Sequence, residues 1–347
     1  MSLFLSHFTA LRYWRRSFPV DEKLGRESRV KLQTMDYRKL GDELAELPVG
    51  FKAYDGVTDL LVSDRSGNRK IDSCRVHCWS TDVPVRAFHR FNSETLVSSP
   101  EFVFVQLAAS LTISELVALG MELCGSYILS PKGDLRAIVK NNGVLMITER
   151  EDDAAPRRMH PLTSVARLTK AVEETPKARG HRKAKRALRF LVDGSASPYE
   201  TLTTMFLCMS PMLGGYGLPL PAMNHRVIFS SDVALMAHRT EAYCDLAWPD
   251  AHLDIEYLGR VHGTADRMED DAARRDALAM AGYHVRTVSK SRIHSVTRFE
   301  KIAEEAAALL GRRIRKDALG ITDARMSMRS EALRWTSSGG VGSGLPK

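Results

Sequence analysis

The sequence predicts an α/β protein: a mixed central sheet flanked by helices on both sides, preceded by a separate mixed α/β N-terminal domain. Three observations carry that expectation. From residue 197 to residue 310, helical and strand-like patterns succeed one another as helix, strand, strand, strand, helix, strand, helix. Within this order, residues 243–248 and 252–258 are aromatic- and aliphatic-rich runs separated by Pro249 and Asp250, a hairpin-like arrangement. The chain is also long enough, at 347 residues with 44% hydrophobic content, to bury a core in two or three domains.

The elements follow in order. After Ser6 the run HFTALRYWRR reads as a helix, and residues 57–62 and 71–79 read as strands. Ser98-Ser99-Pro100 opens a helical run through Gln106, and Thr112 with Glu115 forms a capping box for a helix ending near Gly120. The polar segment 149–161 marks a boundary, so residues 1–150 are read as one domain. Residues 151–192 are read as a basic helical linker. Ser197-Pro198-Tyr199-Glu200 starts the next helix with Ser at the N-cap, Pro at the first helical position and Glu at the third. Residues 225–230 supply a first strand and the hairpin the next two. A helix over 264–281 stops at Gly282, a strand spans 283–288, and an amphipathic helix covers 299–310. This second domain spans 193–315. Residues 316–347 are read as an extension, disordered from about 336, where Gly and Ser dominate.

Charge is distributed unevenly. The formal net charge is +8, yet residues 241–280 hold ten acids against four arginines, a net of −6, which leaves +14 on the remainder. A basic body around an acidic pocket suits a metal-dependent nuclease, with Lys and Arg drawing in phosphates while carboxylates hold the ion. The clearest basic element contains Lys177, Arg179, Arg182, Lys183, Lys185, Arg186 and Arg189, with no acid between Glu174 and Asp193. Arg182, Lys185, Arg186 and Arg189 fall at i, i+3, i+4 and i+7, one helical stripe fit either to face solvent or to contact DNA phosphates. Arg274 and Arg275 are further candidates for phosphate contact.

The cysteines Cys74, Cys78, Cys124, Cys208 and Cys244 are scattered and odd in number, which argues against a disulfide framework. Cys74, His77 and Cys78 lack a clear fourth ligand and sit in a strand-like alternation, so they are not read as a zinc site. No run approaches the ~18 apolar residues of a membrane span. Arg12, Arg15 and Arg16 follow the first apolar stretch instead of preceding it, unlike a signal peptide. The expected location is the cytoplasm, with no membrane partner.

The hairpin carries the chemistry. Side chains on a strand alternate faces, so Asp254 and Glu256 share one face, and a connection of even length places Asp245 opposite one of them on the same side. Three neighbouring carboxylates repel one another unless a cation lies between them, and hard oxygen ligands suit Mg²⁺ or Mn²⁺. Asp245 lies in an apolar strand, where a buried carboxylate without a partner is costly.

Residues 190–312 resemble the very-short-patch-repair (Vsr)-like endonuclease domain of the restriction-endonuclease-like PD-(D/E)xK superfamily. The resemblance is carried by SPYE at 197–200, CDLAW around Asp245, LDIEYLGRVH at 253–262, and the RRDALAMAGYHV helix-to-strand passage. The front half, with SHFTAL and SSPEFVFVQLA, is similar to what precedes such domains in AbiEi-type antitoxins and their relatives. The resemblance implies a restriction-endonuclease-like fold for the mixed sheet and Mg²⁺-dependent cleavage of DNA in defence or repair. It makes Asp245 the central metal ligand and Glu256 the second, with Asp254 the acid of a shifted frame. Glu200 becomes the helix carboxylate that positions metal or water, and His262 an acid/base or leaving-group contact. Leu258 departs from the pattern: the family carries Asp, Gln or Lys two residues after Glu256, and leucine neither binds metal nor donates a proton. The competing expectation is therefore an inactive nuclease fold used as a DNA-binding regulator, with a toxin or antitoxin partner.

Overall fold

A computed structural model describes residues 2–16, 25–34, 40, 44, 47, 56–64, 73–129, 160–259, 265–315 and 320–340. The chain is mixed α/β with two mixed sheets. The first contains β1 (Leu3–Leu5), β2 (Arg26–Glu27), β3 (Thr58–Val62), β4 (Cys74–Cys78), β5 (Phe88–Arg90) and β6 (Thr95–Ser98), in the order β2-β5-β6-β1-β3-β4. β1 runs parallel to β6 and antiparallel to β3. Helix α1 (His7–Arg16) follows β1 directly, as the sequence pattern predicts.

Helix α1 packs on β3 and β6, and two apolar helices follow the sheet in the chain. In α2 (Pro100–Leu107), Ser99 caps the Phe102 N–H with Pro100 in the first turn. Helix α3 (Ile113–Leu123) has the predicted capping box, with Thr112 and Glu115 each satisfying the other's backbone N–H. It runs through Gly120 instead of stopping there. A Cβ at Gly120 would lie 2.6 Å from Leu191, so the glycine marks a close approach to the following chain and not a helix end.

The basic segment packs inward. Helices α4 (Val165–Glu173) and α5 (His181–Leu188) bury Leu168, Ala171 and Val172, and Ala184 and Ala187, against α2 and α3. One buried apolar cluster extends from Leu3 through these helices to Leu246, Ile255 and Trp335, so the two sheets are joined by a shared core.

The second sheet contains β7 (Ala222–Ile228), β8 (Glu241–Trp248), β9 (Leu253–Leu258) and β10 (His284–Ser289), in the order β10-β9-β8-β7. β7, β8 and β9 are antiparallel neighbours, and β10 runs parallel to β9. Helix α6 (Pro198–Cys208) covers one face, its Leu202, Met205 and Phe206 joining the main core together with Leu246 and Ile255. Helix α8 (Ala265–Met280) crosses from β9 to β10 over the other face and buries Ala277 and Leu278 beside Cys244 and Ala247. A helical crossover is what two parallel neighbouring strands require. Gly282, left-handed at φ 84°, ends it. Helix α7 (Ser231–Ala237), between β7 and β8, is an element that the sequence reading did not include. α9 (Lys290–His294) and α10 (Val296–Leu309) complete the predicted order.

Helix α11 (Ile321–Ser337) lies in the extension read over 316–347, a helix the sequence reading did not assign, and it ends about where disorder was expected to begin. Its Arg325 and Arg329 are buried over the rings of Tyr216 and Phe206, at 4.1 and 4.3 Å from the ring centroids, and Arg329 also donates to the Ile293 carbonyl. Gly214 fixes the approach of this helix: it is left-handed at φ 95°, and a Cβ there would stand 2.4 Å from the Ala324 carbonyl oxygen. Gly214→Ala is expected to destabilise the chain by about 2 kcal/mol, checked by urea denaturation. No described helix is long and apolar enough to cross a membrane.

Candidate carboxylate site

The connection between β8 and β9 has an even length. Trp248 pairs with Leu253 across four residues, of which Pro249–Ala251 form a 3₁₀ turn and His252 is left-handed at φ 45°. Asp250 is exposed on that turn. Ala247 pairs with Asp254 and Leu246 with Ile255, so continuing the ladder by one step sets Asp245 opposite Glu256. Leu253, Ile255 and Tyr257 face α6, whereas Asp254 and Glu256 face α8.

The two buried acids of β9 are satisfied unequally. Glu256 is 2% exposed and held bidentately by Arg274 of α8: Nη1 donates to Oε1 at 2.5 Å and Nη2 to Oε2 at 3.2 Å. Arg274 Nη1 also donates to the Tyr243 carbonyl at 2.9 Å, bridging β8 and β9. Asp254 is fully buried, and no cation or backbone N–H among the described residues meets its carboxylate oxygens, whose polar neighbours are the Glu256 carboxyl and the Cys244 thiol. Burial, then repulsion from Glu256 and Asp245, pushes its pKa up to about 9, so it holds a proton at neutral pH. The neighbouring Cys244 thiol is likewise driven up, chiefly by burial.

Asp245 closes the end of the ladder. Its Oδ2 accepts the Tyr257 N–H at 2.9 Å across the gap between the strands. On its other side lies Asn224 of β7, flanked by the regular pairs Met223 with Leu246 and His225 with Cys244, and itself left-handed at φ 48°. Asn224 Nδ2 donates to the Gly194 carbonyl, which ties this rim to the segment following α5. A cleft of about 440 Å³ opens here, lined by Asn224, Arg239, Glu241, Ala242, Tyr243, Asp245 and Arg274. Arg239 is paired with Asp270, and Arg226 with Glu241.

The structure thus brings Asp245, Asp254 and Glu256 into one neighbourhood. Glu200 stands in α6, which covers the opposite face of the sheet. Its Oε2 accepts from the Ala196 N–H at 2.8 Å and its own N–H donates to Ser197 Oγ, so it is engaged in starting the helix. Beside it, Tyr199 stacks on Tyr257 with ring centroids 4.6 Å apart. His262 lies outside the described residues. Leu258, at the end of β9 opposite Ser289, is 39% exposed and does not line the cleft. Arg274, expected at phosphate, is engaged with Glu256, and Arg275 donates to the Asp271 carbonyl of its own helix. Lys177, Arg179, Arg182, Lys185, Arg186 and Arg189 are exposed, while Lys183 turns in to donate to the Leu111 carbonyl. In the first sheet His77 pairs with Asp59 at 2.8 Å, with Cys74 and Cys78 on the other side of the strand.

Sequence reasoning missed the role of Arg274 and the part of Asn224. A signal for the first existed. Arg274, Ala277, Leu278 and Ala281 fall at i, i+3, i+4 and i+7, so a crossover helix that buries Ala277 and Leu278 also turns Arg274 toward the sheet. Among the described residues no group of three His, Cys, Asp or Glu side chains is placed to hold a metal ion. The oxygens of Asp254, which no cation neutralises, lie beside Glu256 and Asp245 in an oxygen-rich set of the kind that suits Mg²⁺ or Mn²⁺. Comparison of the chain with family models, with curated proteins and with solved structures finds no match.

Proposed function

We propose that the chain is a metal-dependent DNA endonuclease of the Vsr-like, restriction-endonuclease-like PD-(D/E)xK type. The observation that supports this most is the buried carboxylate pair on β9, one acid with no positive partner, beside Asp245 at the rim of an open cleft. The order of α6, β8, β9, α8 and β10 accords with that of the segments carrying the resemblance, with β7 and α7 standing between α6 and β8. In this reading Asp245, Glu256 and Asp254 hold Mg²⁺ or Mn²⁺, which supplies charge neutralisation at phosphorus and an activated water. The exposed arginines and lysines of α5 bind the nucleic-acid backbone, and the bond from Asn224 to Gly194 connects that basic segment to the cleft rim. The test is cleavage of plasmid DNA with Mg²⁺ or Mn²⁺. Cleavage is expected for the natural chain and not for Asp245→Ala or Glu256→Ala; plasmid left intact by the natural chain across metals and DNA forms overturns the reading.

A second reading is favoured by Leu258 and by the ion pair of Glu256 with Arg274: an inactive nuclease fold that binds DNA as a regulator, similar to an AbiEi-type antitoxin, with a toxin or antitoxin partner. Under either reading, replacing Arg182, Lys185, Arg186 and Arg189 with Ala is expected to lower the slope of log affinity against log salt by about 3 to 4, measured by fluorescence anisotropy on a duplex. Under the second, Asp245→Ala leaves both affinity and slope unchanged and no cleavage accompanies binding.

A further inference from the structure

We propose that Arg274 is an internal counter-cation that keeps the carboxylate cluster closed to divalent metal until a phosphate of bound nucleic acid draws it away. This rests on the nuclease reading and adds its regulation. Glu256, almost wholly buried, needs a positive partner, and Arg274 provides one with two bonds to its carboxylate and a third to the Tyr243 carbonyl. A guanidinium neutralises a carboxylate as a metal ion does, but it offers no coordination position to water or phosphate. It also leaves Asp254, buried beside this pair, with no positive partner of its own: the Arg274 fork is spent on Glu256 and the Tyr243 carbonyl.

Arg274 is also reachable. Its side chain is 22% exposed and forms a wall of the cleft with Asn224, Tyr243 and Asp245. A phosphodiester oxygen pair matches the guanidinium fork as a carboxylate does, so an entering backbone can exchange with Glu256 for it. Once released, Glu256 is left buried beside Asp254 and Asp245 with no positive partner, an arrangement that a divalent cation relieves. Metal and nucleic acid then bind with positive coupling, and by linkage each tightens the other to the same extent.

The probe is Mn²⁺ itself, its affinity for the full chain measured by electron paramagnetic resonance. Wild type alone is expected to bind weakly, and wild type with a short duplex oligonucleotide about tenfold or more tightly, within the usual range of site coupling. Arg274→Gln without DNA is expected to gain a similar factor. Because that variant leaves Glu256 buried alone, the double variant Arg274→Gln with Glu256→Gln provides an uncharged control that should return to weak binding. Mn²⁺ affinity unchanged by both the duplex and Arg274→Gln overturns the proposal and reduces Arg274 to a helix-to-strand tether. Gain of Mn²⁺ affinity without cleavage by any form sustains the counter-cation role while removing the nuclease reading. Cleavage by a wild type whose Mn²⁺ affinity neither change moves does the reverse.

Discussion

Arg15→Ala is expected to cost about 3–5 kcal/mol of stability, the range for breaking one side of a buried ion pair. Arg15 and Glu122 are 1% and 0% exposed, and the guanidinium meets the carboxylate through Nε at 2.9 Å and Nη2 at 2.6 Å. The third arm, Nη1, donates to the Gly339 carbonyl at 2.8 Å just beyond α11, and Trp335 lies 5.8 Å away beneath the guanidinium carbon. One side chain therefore fastens α1, α3 and the end of α11 together. Truncating it leaves a buried carboxylate stripped of both charged bonds and opens a gap beside Trp335. Equilibrium urea unfolding followed by Trp fluorescence measures the loss. A double replacement, Arg15→Met with Glu122→Gln, should recover much of it, because no buried charge is then left alone. A loss under 1 kcal/mol for Arg15→Ala would show that the pair is dispensable.

The same residue shows where sequence reading stopped. Arg15 was legible as one of three early arginines, but its partner is 107 residues away and its carbonyl acceptor 324 residues away. Local signals were readable because their physics is local. Ser99, Thr112 and Ser197 each cap the helix that the pattern assigned to them. The side-chain period and a four-residue connection likewise set Asp254 and Glu256 on one face, with Asp245 at the end of the ladder. Pairings across the fold were not readable. Nothing nearby in sequence says that β1 lies parallel to β6 some 90 residues on. Arg325 and Arg329 drew no reading from the sequence, because the aromatic rings beneath them come from α6, α10 and the Tyr216 loop. At the candidate site the acids were placed by the pleat, whereas Arg274 was read only as a phosphate contact, because it reaches Glu256 only once α8 has crossed the sheet.

Asp254→Asn should change how stability depends on pH, and the sign follows from the proton. In the folded chain the Asp254 carboxyl keeps its proton up to about pH 9, because burial and the neighbouring Glu256 and Asp245 disfavour the anion. In the unfolded chain it loses that proton near the ordinary value of about 4. Between those limits the folded state binds one proton more than the unfolded state. Stability from this group is full below about pH 4 and declines as pH rises, by about 1.4 kcal/mol per unit, until the folded form also ionises. Asparagine has no proton to give up. Wild type and Asp254→Asn are thus expected to lie closest in acid and to diverge by about 4 kcal/mol between pH 5 and pH 8, with the variant more stable at the upper end. Urea titrations at several pH values in metal-free buffer measure this directly. Parallel stability curves would mean that Asp254 is already ionised in the folded chain at neutral pH, which would require a cation, or a rearranged Arg274, next to the two oxygens that here meet no positive group.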